Sequence, residues 1–479
     1  MFESLAKDMV ERSKAILLSE NQKLEDKKNI KLVDFYENRQ LDDEYLGNWG
    51  FKSDDNKSTK IPLSFISLTR YLINKTSLLY KREPKRKLYI PGKDLSEKQA
   101  DMMAQWSAFV PQYDVYLKYA ERYKNLLHRV LFRPYFNQYL KEWQFIIDTY
   151  YIPLFWEHDP FNPIAYMLLL ASNSEETEAK ETWYSYWSRE EYYLFEPVSG
   201  KKRTSYTLPN GTVIDYKGKN PYGILPFVEL RKEPPITQYG TSGAIDLVQA
   251  NQEINIAINN IHVAIQHQSF GIVWKAGRQD DVKDKIRITP FHVLEVGVDE
   301  TLNTLNMNPM LIESFQTIEK HISIIGKTYG VSISFAIEAS AVSGISLIIQ
   351  NIDLIENRED DIDVGIMQEN KIYTVLQKMQ EIHNNDIPKD EPILIAGAKV
   401  MVNYEDIDFP VNQQDELNMR DWYISNNIKT PLDYMDQDLD EKARQEQYLK
   451  NKKINGKLTR AEQKQETARE EGAKIIEEK

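Results

Sequence analysis

The chain has 479 residues, of which 41% are apolar and 28% charged, with a formal net charge of -13 and no cysteine. That length exceeds one ordinary core and calls for roughly two to four subdomains, and the composition is that of a folded chain. The acidic balance argues against a uniformly basic nucleic-acid binder. The missing cysteines exclude disulfides and thiolate metal sites and fit a reducing compartment.

The N-terminal stretch carries Glu3, Asp8 and Glu11 and lacks the continuous apolar core of a signal peptide. Apolar runs such as "AYMLLLA" at 165–171 fall far short of the roughly 20 residues a membrane helix needs. A soluble chain of cytosolic type is expected. Residues 1 to about 150 read mainly helical, with apolar residues at helical spacing over 61–84 and again over 114–136, each ending near a proline. From about 144 to 231 aromatic and β-branched residues dominate, cut by turns such as Pro209-Asn210-Gly211, and predict strands and hairpins.

Residues 241–268 predict one long helix, with Ile254, Ile258, Ile261 and Ile265 along one face. Asn251, Gln252, Asn255, Asn259 and Asn260 occupy its other faces and suit hydrogen bonding between subunits. Strand-like segments within 269–308 follow, and then a second helix over about 310–328 with Ile312, Phe315, Ile318, Ile322 and Ile325 on one side. Two helices enclosing a small β-containing tip make a stalked hairpin. After a stretch rich in small residues at 329–344, a long helix runs to about His383, its apolar face held by Ile345, Ile348, Ile352, Ile355, Ile362 and Ile366. A β-hairpin turning at Ala396-Gly397 is expected over 392–406, and a charged helical tail from about 412.

No catalytic motif survives inspection. "GKT" at 326–328 resembles the end of a phosphate-binding loop, but the required earlier glycine is His321 and the preceding residues read as helix. The histidines show no metal-binding spacing, and "NGT" at 210–212 reads as a turn. The acids Glu356, Glu359, Asp360, Asp361 and Asp363 leave two readings open: a solvated face or salt-bridge partner of a neighbouring subunit, which is favoured, or Mg²⁺-binding carboxylates of a nuclease. No enzyme activity and no cofactor are expected.

Four stretches occur in a telling order: "LLYKREPKR" (78–86), "NPYGILPFVELRKE" (220–233), "YGTSGAIDLVQANQEIN" (239–255) and "ASAVSGISL" (339–347). Together with the stalked hairpin they resemble the portal proteins of tailed bacteriophages, the connectors through which DNA enters and leaves the capsid. The likeness covers most of residues 30–410. One departure is that Gly243, Ala244 and Ile245 precede Asp246, where the family often has an acid sooner, which leaves the register of the first stem helix open.

The resemblance implies an α+β, mainly helical portal fold. Its parts would be a wing (1–240), stem helices (241–268 and 309–328), a clip (269–308), a tunnel loop (329–344), a long tunnel-side helix with the wing return (345–411) and a helical crown (412–479). It implies a homo-dodecameric ring that conducts double-stranded DNA without sequence specificity. Ala339, Ser340, Ala341, Val342, Ser343 and Gly344 would form the channel-lining loop, where small side chains fit many copies around a narrow circle and Gly344 can absorb backbone movement. The acids 356–363 would repel phosphates or meet a neighbour. Lys275, Arg278, Lys283, Lys285 and Arg287 would form the clip docking surface. Implied partners are the terminase large subunit, major capsid and scaffold proteins and head–tail adaptors, with no membrane. The implied location is the capsid portal vertex of the virion, after assembly in the host cytoplasm. Two other readings stand beside it: another head–tail adaptor or assembly protein without a channel, and a nucleic-acid enzyme using the carboxylates.

Overall fold

The computed structural model describes residues 20–41, 45, 63–110, 112–137, 140–156, 159–169, 183–195, 202–207, 213–215, 217–233, 243–270, 272–276, 301–305, 311–333, 352–387, 389 and 392–405. All of these belong to one of the chain's two compact units, residues 1–337 with 350–407. About half of them are helical and the rest include several antiparallel sheets, so the class is mixed α+β.

In chain order, α1 (Glu20–Tyr36) and α2 (Leu68–Thr76) come first, followed by strand β1 (Lys85–Tyr89), which alternates Arg86 and Leu88 inward. A capping box between Ser96 and Gln99 starts α3 (Glu97–Ala100), which leads into α4 (Met102–Phe109) and α5 (Gln112–Leu127). Next come β2 (Arg129–Asn137), β3 (Glu142–Asp148), β4 (Tyr151–Trp156), β5 (Asp159–Leu169), β6 (Tyr184–Ser188), β7 (Tyr192–Phe195) and β8 (Lys202–Arg203). Then follow β9 (Ser205–Thr207), β10 (Val213–Asp215), β11 (Val228–Arg231), α6 (Ile245–Phe270), β12 (Ile272–Ala276), β13 (Thr301–Leu305), α7 (Leu311–Thr328), α8 (Ile352–His383) and β14 (Lys399–Asn403).

The strand zone expected over 144–231 is present. Strands β4 to β8 pair in chain order as a five-stranded antiparallel sheet, and β11-β2-β3 form a second sheet. The two meet through an aromatic cluster that includes Leu131, Tyr151, Tyr166, Trp187 and Phe227. A separate core joins α4, α5, β1, β2, β3, β14 and the C-terminal half of α8 around Trp106, Tyr113, Phe132, Tyr373 and Leu376. A third joins α1, α2, α6 and α7 around Leu32, Leu72, Ile254, Ile261, Ile318 and Ile322. The two isoleucine stripes therefore share a core at Ile254, Ile258 and Ile261 of α6 and Ile318, Ile322 and Ile325 of α7, whereas Ile265, Ile312 and Phe315, expected on the same faces, are exposed. Strand β12 pairs with β13 between the two helices in sequence, from Ile272 opposite Leu305 to Ala276 opposite Thr301.

Four expectations need correction. Of the described residues in the stretch read as helical over 61–84, only Leu68–Thr76 are helical. The helix read over 114–136 ends at Leu127; His128 takes a positive φ of 60° and turns the chain into β2. Val130, Leu131 and Phe132 are all buried because β2 is the central strand, and such a run imitates helical spacing. Pro134 fits inside β2 because β11 pairs only as far as Phe132, which leaves that edge free at the proline. The region 1–150, read as mainly helical, thus contains β1, β2 and β3. Finally, the turn at Ala396-Gly397 exists, with Gly397 at φ 75°, but the strand after it pairs with β1 instead of closing a local hairpin.

The asparagine face of α6 is also corrected. Asn251, Asn255 and Asn259 are buried within their own chain, where they read the backbone of the segment entering α2. Asn259 accepts from Ser64 N (3.0 Å) and donates to Ser64 O (2.8 Å); Asn255 accepts from Ile66 N (2.8 Å) and donates to Ile66 O (3.3 Å). Asn251 accepts from Thr69 N (3.0 Å) and donates to Ile66 O (2.9 Å). The match is metric: four helical residues rise about 6 Å and two extended residues about 6.6 Å. None of residues 63–67 has a buried side chain, so main-chain bonds and not side-chain packing hold the strap.

Asn255→Ala should therefore cost about 1–3 kcal/mol, since it leaves paired backbone groups unmet. Ile66→Ala, on an exposed side chain, should stay within about 0.5 kcal/mol. Urea unfolding of both variants at one protein concentration checks the contrast.

Candidate functional site

The candidate site centres on α8, a helix of 32 residues and so roughly 48 Å long. Its inner side buries Leu354, Ile372, Tyr373, Leu376 and Met379. Ile352, expected on the apolar face, is instead exposed, and Ile355, Ile362 and Ile366 are half-buried. Glu356, Glu359, Asp360 and Asp363 lie exposed on the outer side. Asp361, one helical step from Asp360, turns inward and meets the buried Lys124 of α5 at 3.4 Å. Beside it Glu121, fully enclosed, accepts the backbone N–H groups of Leu79 (2.9 Å) and Tyr80 (3.2 Å). Burial pushes the Glu121 carboxyl up, opposed by Lys124 and these two N–H groups. The five acids are thus four outward groups and one already neutralised. They diverge, and among the described residues no three metal-ligating side chains converge.

Below that surface a buried charge network ties α8 down. Arg86 of β1 donates from Nε to Glu369 Oε2 (2.7 Å) and from Nη2 to Glu369 Oε1 (3.0 Å), and its Nη2 lies 2.7 Å from Asp114 Oδ1. The guanidinium stacks 5.1 Å over the Tyr113 ring. Glu369 Oε1 also accepts from Tyr80 (3.1 Å) and Tyr404 (3.4 Å). Burial and then the neighbouring Glu369 raise both phenols well above their usual range. Gly365, one turn earlier, has no room for a side chain, because a Cβ would lie 2.8 Å from Tyr404 Oη. The helix ends at His383, whose ring lies 4.8 Å from Phe136 and whose Nε2 is 3.0 Å from Tyr222 Oη. Burial lowers the His383 pKa, against the opposing pull of Asp386.

The other anchor is the end of α7. Val331 N donates to Gly326 O (2.8 Å) and Gly330 N to Lys327 O (3.0 Å), with Gly330 at φ 68°, which is a Schellman stop. "GKT" is thus a helix ending; a Cβ on Gly326 would lie 2.7 Å from Val331 O. A Cβ on Gly330 would lie 3.3 Å from Leu354 N, so this turn sits directly against the first turn of α8. Val331 and Leu354 share one core. The points where the chain leaves α7 and enters α8 are therefore held together.

Ala339, Ser340, Ala341, Val342, Ser343 and Gly344 lie outside the described residues, as do Arg278, Lys283, Lys285 and Arg287 and the tail from 412. Lys275 is on β12, opposite Leu302 of β13. The Arg86–Glu369 pair and the inward turn of Asp361 were not anticipated from sequence. The one available signal was Glu369 interrupting the apolar side of α8, between Gly365 and Ile372. No helix among the described residues is long and apolar enough to cross a membrane. No family model matches the chain, and no curated protein matches it significantly.

Glu369→Gln should destabilise the chain by about 3–5 kcal/mol, because it leaves the Arg86 charge without its buried counter-charge. Asp360→Asn, on the exposed side, should change stability by less than about 0.5 kcal/mol. Chemical unfolding at fixed protein concentration measures both. A second expectation concerns pH. His383 has a folded pKa below that of the free imidazole, about 6.5, so as pH falls through that value the unfolded chain gains a proton that the folded chain refuses. Stability should fall on acidification from neutral pH, and His383→Gln should flatten part of that slope in a thermal-melt series.

Proposed function

We propose that this chain is the portal protein of a tailed phage. It assembles as a ring at the capsid vertex, conducts double-stranded DNA during packaging and ejection, and docks the terminase motor and then the tail adaptors. The observation that carries this reading is the order of parts. Two stripe-packed helices, α6 and α7, stand either side of a strand ladder, and a small-residue stretch at 339–344 follows before the long α8. The described flanks of that stretch, Gly330 and the Asp353–Leu354 turn, lie against each other.

The chemistry fits passage without grip. A duplex slides most freely past a chain that does not attract its phosphates, and a formal net charge of -13 supplies the reverse of counterion-release binding. Ala339–Gly344 would border the channel, and Lys275, Arg278, Lys283, Lys285 and Arg287 would face the motor and adaptors.

Negative-stain microscopy of the purified full chain tests this directly. Closed rings with a channel wide enough for a B-form duplex are the expected result, together with no intrinsic ATPase activity. Monomers or small globular dimers across a range of salt and protein concentration would overturn it in favour of an adaptor without a channel.

A further inference from the structure

We propose that the cation–aromatic face formed by α2 and α5 is the docking surface for the outer, acidic side of α8 on a second copy of the chain. This rests on the ring reading above and adds to it which two faces meet.

On α2, Arg70 lies 5.9 Å over the Tyr36 ring and Lys75 lies 5.8 Å over Tyr71. On α5, Arg122 lies 5.2 Å over Tyr119. Arg70 and Arg122 converge on the same Tyr36 phenol, whose hydroxyl donates to Asn74 Oδ1 (2.9 Å), so the two helices present one continuous surface. Tyr71, Val115 and Tyr119 add exposed apolar area, at 45%, 52% and 47% of their full accessibility. Among the described residues, Arg70, Lys75 and Arg122 have no carboxylate partner. Glu37, near Tyr123, is already held by Arg39 (2.8 Å) and by the Tyr123 hydroxyl (3.1 Å).

The complement lies on α8. Glu356, Glu359, Asp360 and Asp363 are exposed and have no cation partner among the described residues. Steps of three and four residues keep Glu356, Asp360 and Asp363 on one side of the helix. Exposed Ile352 (48%) and Met367 (61%) bracket the acids on that side. Each face therefore combines unpaired charge of one sign with uncovered apolar surface. A nucleic-acid duplex would satisfy the cations yet leave Tyr71, Val115 and Tyr119 without an apolar partner, whereas α8 supplies Ile352 and Met367 beside its carboxylates.

Within one copy the two faces cannot meet. Lys124 of α5 points at Asp361 of α8. Arg122 is two residues earlier, about 200° around the helix, and so looks away from α8. Two different, mutually complementary faces on each copy make a head-to-tail contact, the kind that closes into a ring.

The test uses the full chain in two charge-reversed forms, Arg70→Glu with Arg122→Glu, and Glu356→Lys with Asp360→Lys and Asp363→Lys. Assembly is read by sedimentation velocity and native mass spectrometry, and folding by circular dichroism. Each form alone should associate at least tenfold more weakly than the wild type. An equimolar mixture should reassemble with alternating composition, because each form supplies the face that the other has lost. Should a reversed form not fold, Arg122→Gln and Asp360→Asn should each weaken assembly at low salt and make it less steeply dependent on salt. Folded reversed forms that assemble like the wild type would overturn this contact while leaving the ring reading intact. So would folded forms whose mixture fails to reassemble. A wild type that never assembles would overturn both. Intact assembly with lost retention of duplex DNA in the Arg70/Arg122 form would assign the surface to nucleic acid instead.

Discussion

The buried pairing of Arg86 with Glu369 is the constraint on which the rest of the described structure depends. Removing two charges from water costs more than their attraction returns unless every remaining lone pair and N–H finds a partner. Here Tyr80 and Tyr404 donate to Glu369, while Asp114 and the Tyr113 ring face the Arg86 guanidinium; these groups come from α5, the segment before β1 and the residue after β14. Satisfying one ion pair therefore fixes four parts of the chain against α8. A shift of β1 by one residue would exchange Arg86 for an outward position and strand Glu369 in the core, so the pair also sets the β1–β14 register, with Arg86 opposite Val402.

That fixity gives α8 two unlike ends. Its C-terminal half lies in the aromatic core and closes on His383, whereas its first turns share a core with α6 and α7 through Leu354. Lys124 and Glu121 join the two regions at Asp361. The outward carboxylates ride on a helix whose orientation is decided elsewhere, so their spacing is set by the buried side and not by their own repulsion.

Much of this was legible in the chain itself. Isoleucines at steps of three and four marked α6 and α7 because each buries one side against the other. Aromatic alternation marked the five-stranded sheet for the same reason. What escaped were long-range partners. Nothing local tells β14 to seek β1, or Arg86 to seek Glu369. The asparagines misled because α6 is buried on two sides: next to an isoleucine stripe, a polar stripe looks like a surface, but here it faces the backbone of residues 64–69. Of the candidate site, the acids were visible as acids. The inward turn of Asp361 was not, since it depends on where Lys124 stands on a different helix.

The asparagine ladder has a mechanical consequence. Asn251, Asn255 and Asn259 meet the strap in antiparallel order, with higher helix numbers facing lower strap numbers. Tension drawn along the strap from its N-terminal side therefore loads all three amides in shear at once, whereas lifting the strap away from α6 would open them one by one. The same six hydrogen bonds are strong against a pull and weak against a peel, so this segment is a tether whose hold depends on the direction of force.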